Sequence, residues 1–293
     1  MPELPEVETV RRGLEPAMLN ARIIKVEQRR ANLRFPFPPR FAHRLEGRIV
    51  TSLSRRAKYL CAEMDSGVVL VMHLGMSGRF LVEDARGRHE PGEFLQDQGR
   101  HAAHDHVVMH FENGARITYN DTRRFGFMLL IQRDELAEHK LFRDIGIEPL
   151  GNELSGPVLA ELFAGKETSL KAALLDQSLI AGLGNIYVSE ALHRAGLSPK
   201  RKAGSLAGRG ETARSRAARL ALTIRQVLEE AIEAGGSTLR DFAHADGSLG
   251  YFQHRFKAYD RAGEACSMQS CGGKITRIAQ SGRSTFYCRA CQR

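Results

Sequence analysis

The chain has 293 residues, enough for one large domain or two ordinary ones, and 42% of them are hydrophobic, as in globular proteins. Lys and Arg number 43 against 34 Asp and Glu, and the resulting net charge of +9 favours a polyanionic partner, foremost nucleic acid. No apolar run is long enough to span a bilayer and the acidic N-terminus is unlike a signal peptide, so we expect a cytoplasmic protein without a membrane segment.

The first predicted element is a short helix that begins near Pro5. Apolar residues recur at helical spacing between Val7 and Leu14. Glu6 lies in the predicted first turn, where the helix dipole favours negative charge. Dipole compensation is thus one sufficient explanation of Glu6, and its role in catalysis is left open.

Pro2 becomes a free secondary amine if Met1 is removed. The ordinary pKa of such an amine is about 8, against about 10.4 for a lysine, so far more of it is neutral and nucleophilic at pH 7. Pro2 is therefore a candidate nucleophile for catalysis through an imine. The alternative is that Met-Pro is an ordinary start, and these first residues alone favour that alternative.

Short β-rich runs without intervening helices follow from Arg22 to Ile131 and predict a sandwich or barrel. The clearest runs are Ile23–Val26, Val68–Met72, His106–Phe111 and Phe125–Ile131. Between them, the stretch from Glu83 to His104 is polar and lacks periodicity, which predicts a surface loop. Cys61 lies in an apolar segment and is interpreted as core packing.

The second half of the chain is predicted to be helical. It follows a plausible linker from Glu148 to Asn152 and continues to Gly235-Gly236. The longest helix, between Glu211 and Ala234, carries an apolar residue every four positions. The β-rich and α-rich halves are therefore predicted to be separate domains.

Four of the five cysteines fall in the last 28 residues: Cys266, Cys271, Cys288 and Cys291. Their spacing predicts a tetrahedral zinc site with no open position, hence one structural zinc that holds a small hairpin. Two disulfides are the alternative and are disfavoured in a cysteine-poor, cytoplasmic chain. The stretch 260–293 carries six basic and two acidic residues, which indicates a nucleic-acid contact, with a purely stabilising zinc module as the alternative.

Six segments in order along nearly the whole chain resemble the formamidopyrimidine-DNA glycosylases: Pro2–Glu8, Arg55–Tyr59, His73–Gly78, Asp121–Gly126, Gly184–Tyr187 and Arg283–Cys288. The resemblance implies an α+β multidomain fold, with an N-terminal β-sandwich and flanking helices over 1–148. It also implies a helix-two-turns-helix domain over 149–258 and a zinc-finger β-hairpin over 259–293, with DNA held between the two halves.

The resemblance further implies a bifunctional base-excision enzyme that removes oxidised purines, such as 8-oxoguanine and formamidopyrimidines, and then nicks the strand. Pro2 matches the nucleophile that attacks C1′, and Glu3 the adjacent acid/base residue. Lys58 matches the proton donor in β-elimination, although a solvated charge beside Arg55 and Arg56 is its plainer interpretation. Arg283 matches a residue assigned to δ-elimination, and since guanidinium is a poor acid we favour phosphate positioning for it.

The residues matched to DNA contacts are Met76, Arg123 and Phe125, which fill the gap left by an extruded nucleotide, and His104, Lys166 and Asn185. Apolar wedges and arginine donors suit the first task. Core packing is the alternative explanation of Met76 and Phe125. A plain N-cap role is the alternative for Asn185, and an ordinary surface position is the alternative for His104 and Lys166. The segment from Asp246 to Phe252 resembles a loop that closes over the flipped base, although its glycines also suit an inert turn.

Two features depart from the common family pattern: four residues separate Cys266 from Cys271, and the loop before His104 is long. An endonuclease VIII type glycosylase for oxidised pyrimidines is the nearest alternative, and Leu4 and Val7 favour the purine enzyme. A non-catalytic zinc-ribbon nucleic-acid-binding protein is a further alternative, against which the intact Pro2-Glu3 pair argues. We expect a monomer on duplex DNA, associated with the bacterial nucleoid, without an obligate protein partner.

Overall fold

The structure is a computed structural model that describes residues 2–92, 101–237 and 252–293. The chain divides into two compact units. The N-terminal unit comprises 1–143 and 234–251, and the C-terminal unit comprises 144–233 and 252–293. Among the described residues, no helix combines the length and apolarity that crossing a membrane requires. The three-domain division of the sequence stays a prediction.

Helix α1 (Leu4–Met18) opens the N-terminal unit and confirms the predicted helix. Glu3 is its N-cap residue with extended backbone, and Pro5 lies in the first turn, where a missing N–H costs nothing. The predicted apolar positions Val7 and Leu14 are both buried. Their burial fixes the helix on the sheets behind it.

In the described part of the N-terminal unit, nine antiparallel strands form two sheets, which confirms the predicted sandwich. The strands are β1 (Ile23–Gln28), β2 (Val50–Arg56), β3 (Tyr59–Met64), β4 (Val68–His73), β5 (Gly78–Asp84), β6 (Gly87–His89), β7 (Asp105–Phe111), β8 (Arg116–Asp121) and β9 (Phe127–Gln132). One sheet has the order β1-β7-β8-β5-β6 and the other β2-β3-β4-β9. Apolar side chains of both sheets and of α1 share one core, in which Phe80, Phe111 and Tyr119 are fully buried.

Three expectations for this unit were wrong in detail. A short helix, α2 (Phe41–Leu45), interrupts the β-rich region, because Phe41 and Leu45 lie one helical turn apart and both enter the core. The last strand begins at Phe127, so Phe125 lies in the preceding turn. The described residues of the region from Glu83 to His104 include regular structure, namely the β5–β6 hairpin and a 3₁₀ turn at Ala102–His104, where a loop was expected.

The C-terminal unit contains helices α3 (Gly156–Phe163), α4 (Leu170–Leu175), α5 (Asn185–Arg194) and α6 (Glu211–Glu233). Ser155 and Ser169 cap α3 and α4 by accepting a backbone N–H with their hydroxyls. The predicted long helix is confirmed in α6, which ends before Gly235 and Gly236, whose φ angles are positive.

The predicted hairpin near the C-terminus is confirmed as β10 (Ile275–Gln280) and β11 (Arg283–Cys288). Ser281 and Gly282 form its two-residue turn with φ of +51° and +72°. A turn with two positive φ angles matches the twist of the flanking strands, and it places Arg283 at the hairpin tip.

Glu190 on α5 anchors the chain that leads into this hairpin. Its fully buried carboxylate accepts the backbone N–H groups of Lys257, Ala258 and Tyr259 at 2.8–2.9 Å. Burial raises the pKa of Glu190, although the three N–H donors oppose that shift. The cysteine-rich segment is thereby held to one face of α5.

Replacing Glu190 with Ala should lower the free energy of unfolding of the C-terminal unit by about 3 kcal/mol, because three buried or partly buried N–H groups lose a charged acceptor. Urea unfolding followed by circular dichroism measures the change. The control is Glu230→Ala, which removes a partly exposed ion pair with Arg194 and should cost less than about 1 kcal/mol. Equal losses in the two variants would contradict the anchoring role.

Candidate active site and DNA-contacting surfaces

The start of α1 holds Pro2 and Glu3 in buried positions. The backbone N–H of Glu3 donates to Oε2 of Glu6 at 2.8 Å. The side chain of Glu6 thus reaches back by one helical turn to the N-cap residue, which is half of a capping box. It fixes the peptide group that joins Pro2 to Glu3. The candidate nucleophile and the candidate acid/base residue therefore share one backbone constraint.

The second oxygen of Glu6 binds a segment more than two hundred residues away. Its Oε1 accepts both the backbone N–H and the hydroxyl of Ser237 at 2.9 Å, and all of these groups are buried. Gly236, the residue before Ser237, has φ of +90°, and a Cβ on it would lie 3.3 Å from Cγ of Glu6. Glu6 thus joins the first turn of α1 to the segment 236–237, a long-range role that dipole compensation alone does not require. The predicted base-covering loop, from Asp246, lies outside the described residues up to Phe252.

Lys58 lies in the two-residue turn between β2 and β3, and only 8% of its surface is exposed. The turn requires a left-handed backbone at Ala57, whose φ is +51°. Helix α1 packs on the same hairpin, since Arg11 donates to the carbonyl of Leu53 at 3.3 Å. The burial of Lys58 rules out the solvated surface charge as its explanation.

Met76 and Phe125 project from two turns of the N-terminal unit and are 39% and 44% exposed. The guanidinium carbon of Arg123 lies 4.7 Å from the centre of the Phe125 ring. Both apolar side chains are outside the core, so packing does not explain them. A thioether, an aromatic ring and a cation are therefore presented to solvent from the β4–β5 and β8–β9 turns.

Asp121 fixes these two turns against each other. Its fully buried carboxylate accepts the hydroxyl of Ser77 on one oxygen and the N–H of Gly126, at 2.8 Å, on the other. Ser77 in turn accepts the N–H of Arg123 at 2.9 Å. One hydrogen-bonded cluster, which the sequence did not reveal, thus holds Ser77, the residue after Met76, together with Arg123 and Gly126 in the turn that carries Phe125.

Gly75 and His73 complete the support of the β4–β5 turn. Gly75 has φ of +63°, and a Cβ on it would lie 2.4 Å from the backbone of Phe125, so only glycine fits. Nδ1 of His73 accepts the N–H of Gly75 at 3.0 Å. Burial, with Lys58 and Arg34 nearby, lowers the pKa of His73 to about 4, so at neutral pH its ring is uncharged and its Nδ1 remains an acceptor.

His104 and Lys166 are less closely integrated with these groups. His104 ends the 3₁₀ turn and its ring lies 6.3 Å from that of His106. Lys166 lies in the loop after α3, where its carbonyl accepts the N–H of Gly204 at 2.9 Å. Both are partly exposed, and their contacts with DNA stay predictions.

In the C-terminal unit, Asn185 and the tip of the β10–β11 hairpin lie together. Gly184 is the N-cap of α5, so the plain N-cap interpretation of Asn185 was wrong. Asn185 instead donates from Nδ2 to the carbonyl of Ser284 at 3.0 Å, while its Oδ1 is buried without a hydrogen-bond partner among the described residues. Arg283, the neighbour of Ser284, is exposed.

Lys171 on α4 is a residue that the sequence did not single out. It is 1% exposed, and its ammonium donates to the carbonyl of Ser284 at 2.9 Å and to the hydroxyl of Thr285 at 2.6 Å. A buried ammonium needs such acceptors. Lys171 and Asn185 together therefore fix the strand residue that follows Arg283.

A basic surface cavity of about 580 Å³ adjoins the same hairpin. Its lining includes five cationic residues: Lys200, Arg201, Lys202, Arg289 and Arg293. Burial and the nearby Arg216 lower the pKa of Arg201, as expected where cations crowd together. The cavity adds an anion-attracting surface to the C-terminal unit.

The four C-terminal cysteines converge on one point. Their sulfurs all lie within 4.8 Å of one another, with Cys266 to Cys291 at 3.6 Å and Cys271 to Cys288 at 3.5 Å. Four thiolates about 2.3 Å from a tetrahedral zinc ion stand about 3.8 Å apart, so the set fits one structural zinc ion. Cys61 is separate and buried, and burial raises the pKa of its thiol to about 12, which confirms a packing role.

Three family models match the chain in succession. The Formamidopyrimidine-DNA glycosylase N-terminal domain matches residues 1–128, and the Formamidopyrimidine-DNA glycosylase H2TH domain matches 145–243. The zinc finger found in FPG and IleRS matches 269–293.

Relatives and solved structures agree with those models. Proteins named formamidopyrimidine-DNA glycosylase from Beijerinckia indica and Methylocella silvestris are 66% and 63% identical, with full coverage of both chains. The Lactococcus lactis Fpg in complex with abasic-site DNA is 33% identical over 99% of each chain, with a TM-score of 0.80. A variant of that enzyme bound to Fapy-dG DNA gives a TM-score of 0.81. With three successive domain models and full-length relatives in agreement, the chain belongs to the formamidopyrimidine-DNA glycosylase family.

Proposed function

We propose that the protein extrudes oxidised purine nucleotides, such as those of 8-oxoguanine and formamidopyrimidines, from duplex DNA, excises the base and cleaves the strand. The observation that carries the proposal is the buried Pro2-Glu3 pair, whose backbone is fixed by Glu6 at the start of α1. A nucleophile held this way loses little entropy on reaction. Named relatives with the same full-length architecture support the substrate class.

Extrusion of a nucleotide costs a few kcal/mol and leaves a gap in the duplex. Met76 and Phe125 are the exposed apolar groups that would fill it, and Arg123 carries donors for the unpaired base. Because Asp121 and Ser77 fix both turns before DNA arrives, the wedge is formed in advance. The conformational entropy of these turns is therefore lost when the protein folds and not when it binds DNA.

The chemical step begins after removal of Met1. The lone pair of the Pro2 nitrogen forms a bond to C1′ and the bond from C1′ to the base breaks, so the base leaves with the electron pair. The proton that the Pro2 nitrogen loses after forming this bond balances the proton that the departing base takes up. The ring bond from C1′ to O4′ then opens, O4′ takes a proton from Glu3, and an iminium links Pro2 to the sugar. Glu6, which bonds to the backbone of Glu3, is the positioning residue of this step.

Strand cleavage follows from the iminium. Transfer of a C2′ proton to water forms a C2′–C3′ double bond and breaks the C3′–O bond, so the 3′ phosphate leaves with the electron pair, with Lys58 as its proton donor. Transfer of the C4′ proton to water then breaks the C5′–O bond and expels the 5′ phosphate. Arg283, exposed at the hairpin tip, is suited to binding phosphate charge during these eliminations. Asn185, Lys166, His104 and the basic cavity supply further phosphate contacts, in keeping with the net charge of +9. We further infer that the protein acts as a monomer on DNA in the bacterial cytoplasm, associated with the nucleoid.

Borohydride should trap a covalent complex between the mature protein and a duplex containing 8-oxoguanine opposite cytosine, because reduction converts the iminium into a stable amine. Denaturing electrophoresis with mass analysis of the linked peptide locates the bond at Pro2. The variant Pro2→Gly should bind the duplex with unchanged affinity and lose most of the trapping. Undiminished cleavage by this variant would exclude Pro2 as the nucleophile. If the wild-type protein instead cleaves a thymine glycol duplex in preference to the 8-oxoguanine duplex, its substrates are oxidised pyrimidines and the proposed purine specificity is wrong.

Phe125→Ala should lower the rate of excision from a lesion duplex by about tenfold or more, since each 1.36 kcal/mol of lost stabilisation is a factor of ten. Trapping on single-stranded abasic DNA, which needs no extrusion, should be unchanged. Ile24→Ala removes another exposed apolar side chain of the same unit and is the control. Equal losses on duplex and single-stranded DNA would show that Phe125 does not act as a wedge.

Lys171→Met should raise the ratio of β- to β,δ-elimination products on abasic DNA, because the backbone next to Arg283 loses the buried ammonium that fixes it. Gel separation of the 3′ ends measures the ratio. Lys25→Met, which removes an exposed lysine paired with Glu27, should leave it unchanged. An unaltered ratio in a folded, zinc-loaded Lys171→Met protein would argue against the positioning role.

A further inference from the structure

His193, in the last turn of α5, faces the zinc-binding cysteines. Its side chain is fully buried, and its Nε2 lies 3.3 Å from Sγ of Cys266. The other ring nitrogen, Nδ1, is buried without a hydrogen-bond partner among the described residues. The packing therefore orients this polar ring toward one sulfur.

The proton in this contact belongs to the ring once the metal is bound. A cysteine that ligates zinc is a thiolate and has no proton to donate. Two lone pairs at 3.3 Å would repel each other, so Nε2 must carry the hydrogen and donate it to Cys266. The contact is then a charge-assisted N–H···S hydrogen bond.

The two cysteine pairs differ in their spacing. Two residues separate Cys288 from Cys291, whereas four separate Cys266 from Cys271, and both spacings occur in zinc sites. His193 brings to the wider pair a donor from a helix outside the cysteine-rich segment, with Nε2 at 3.3 Å from Sγ of Cys266.

We propose that His193 is an outer hydrogen-bond donor of the zinc site, which stabilises the Cys266 thiolate and ties the site directly to helix α5. Four thiolates around a divalent ion carry a net charge of −2, so each donor to sulfur offsets part of that charge. Glu190, three residues earlier on the same helix, holds the backbone at 257–259. Helix α5 thus holds the cysteine-rich segment at its backbone and at a metal ligand.

The test compares zinc release from the intact protein and two variants. His193→Phe keeps a ring of similar size without a donor, whereas His193→Gln retains an N–H near the position of Nε2. With excess chromogenic chelator, His193→Phe should release zinc about tenfold faster than the wild type, the usual loss for an outer-sphere partner, and His193→Gln should stay within about twofold. Equal rates in His193→Phe and the wild type, or equal acceleration in both variants, would overturn the proposal.

Two measurements separate the hydrogen bond from loss of folding. In cobalt-substituted protein, the sulfur-to-cobalt charge-transfer band of His193→Phe should move to longer wavelength, because a thiolate without its donor gives up an electron more readily. In the zinc-loaded wild type, nitrogen-15 correlation spectra of the His193 ring should show the proton on Nε2. A proton on Nδ1 would exclude the donor role without any variant.

Discussion

The carboxylate of Glu6 is the constraint on which the catalytic end of the N-terminal unit depends. It accepts the N–H of Glu3 with one oxygen and two groups of Ser237 with the other, all in buried surroundings. A buried carboxylate without donors is costly, so this arrangement disfavours any shift of either backbone segment. The peptide after Pro2 therefore takes its position from the sandwich core, into which α1 packs Val7 and Leu14.

Buried carboxylates serve the same purpose at two other places. Asp121 holds the turns that present Met76 and Phe125, and Glu190 holds the backbone that leads to the zinc-binding cysteines. In each case the acceptor lies on a helix or at the end of a strand and the donors lie in a turn or loop. Surface loops are ordinarily the mobile parts of a fold. These hydrogen bonds fix the loops that carry candidate functional residues to the helices and strands that carry the carboxylates.

Periodic features were predictable from the sequence because they depend on neighbouring residues. The apolar spacing of α1 and α6, most of the β-rich runs and the zinc-binding cysteines were all found this way. The apolar run that includes Phe125 predicts a strand from that residue, but the strand begins at Phe127. Between the two, Gly126 approaches the backbone of His73 so closely that no larger residue would fit, a contact that the apolar pattern does not indicate. Pattern alone also missed α2, whose five residues are too few to show a helical period.

The sequence by itself determined the chemistry: a secondary amine next to a carboxyl group, four thiolates at zinc spacing, and a family pattern covering nearly the whole chain. The tertiary structure alone decided which groups hold that chemistry in place. Ser237 reaches Glu6 across 231 residues, and Lys171 reaches Thr285 across 114. Hydrogen bonds of this kind depend on distances and angles that only the packed core defines, so no local pattern in the sequence indicates them.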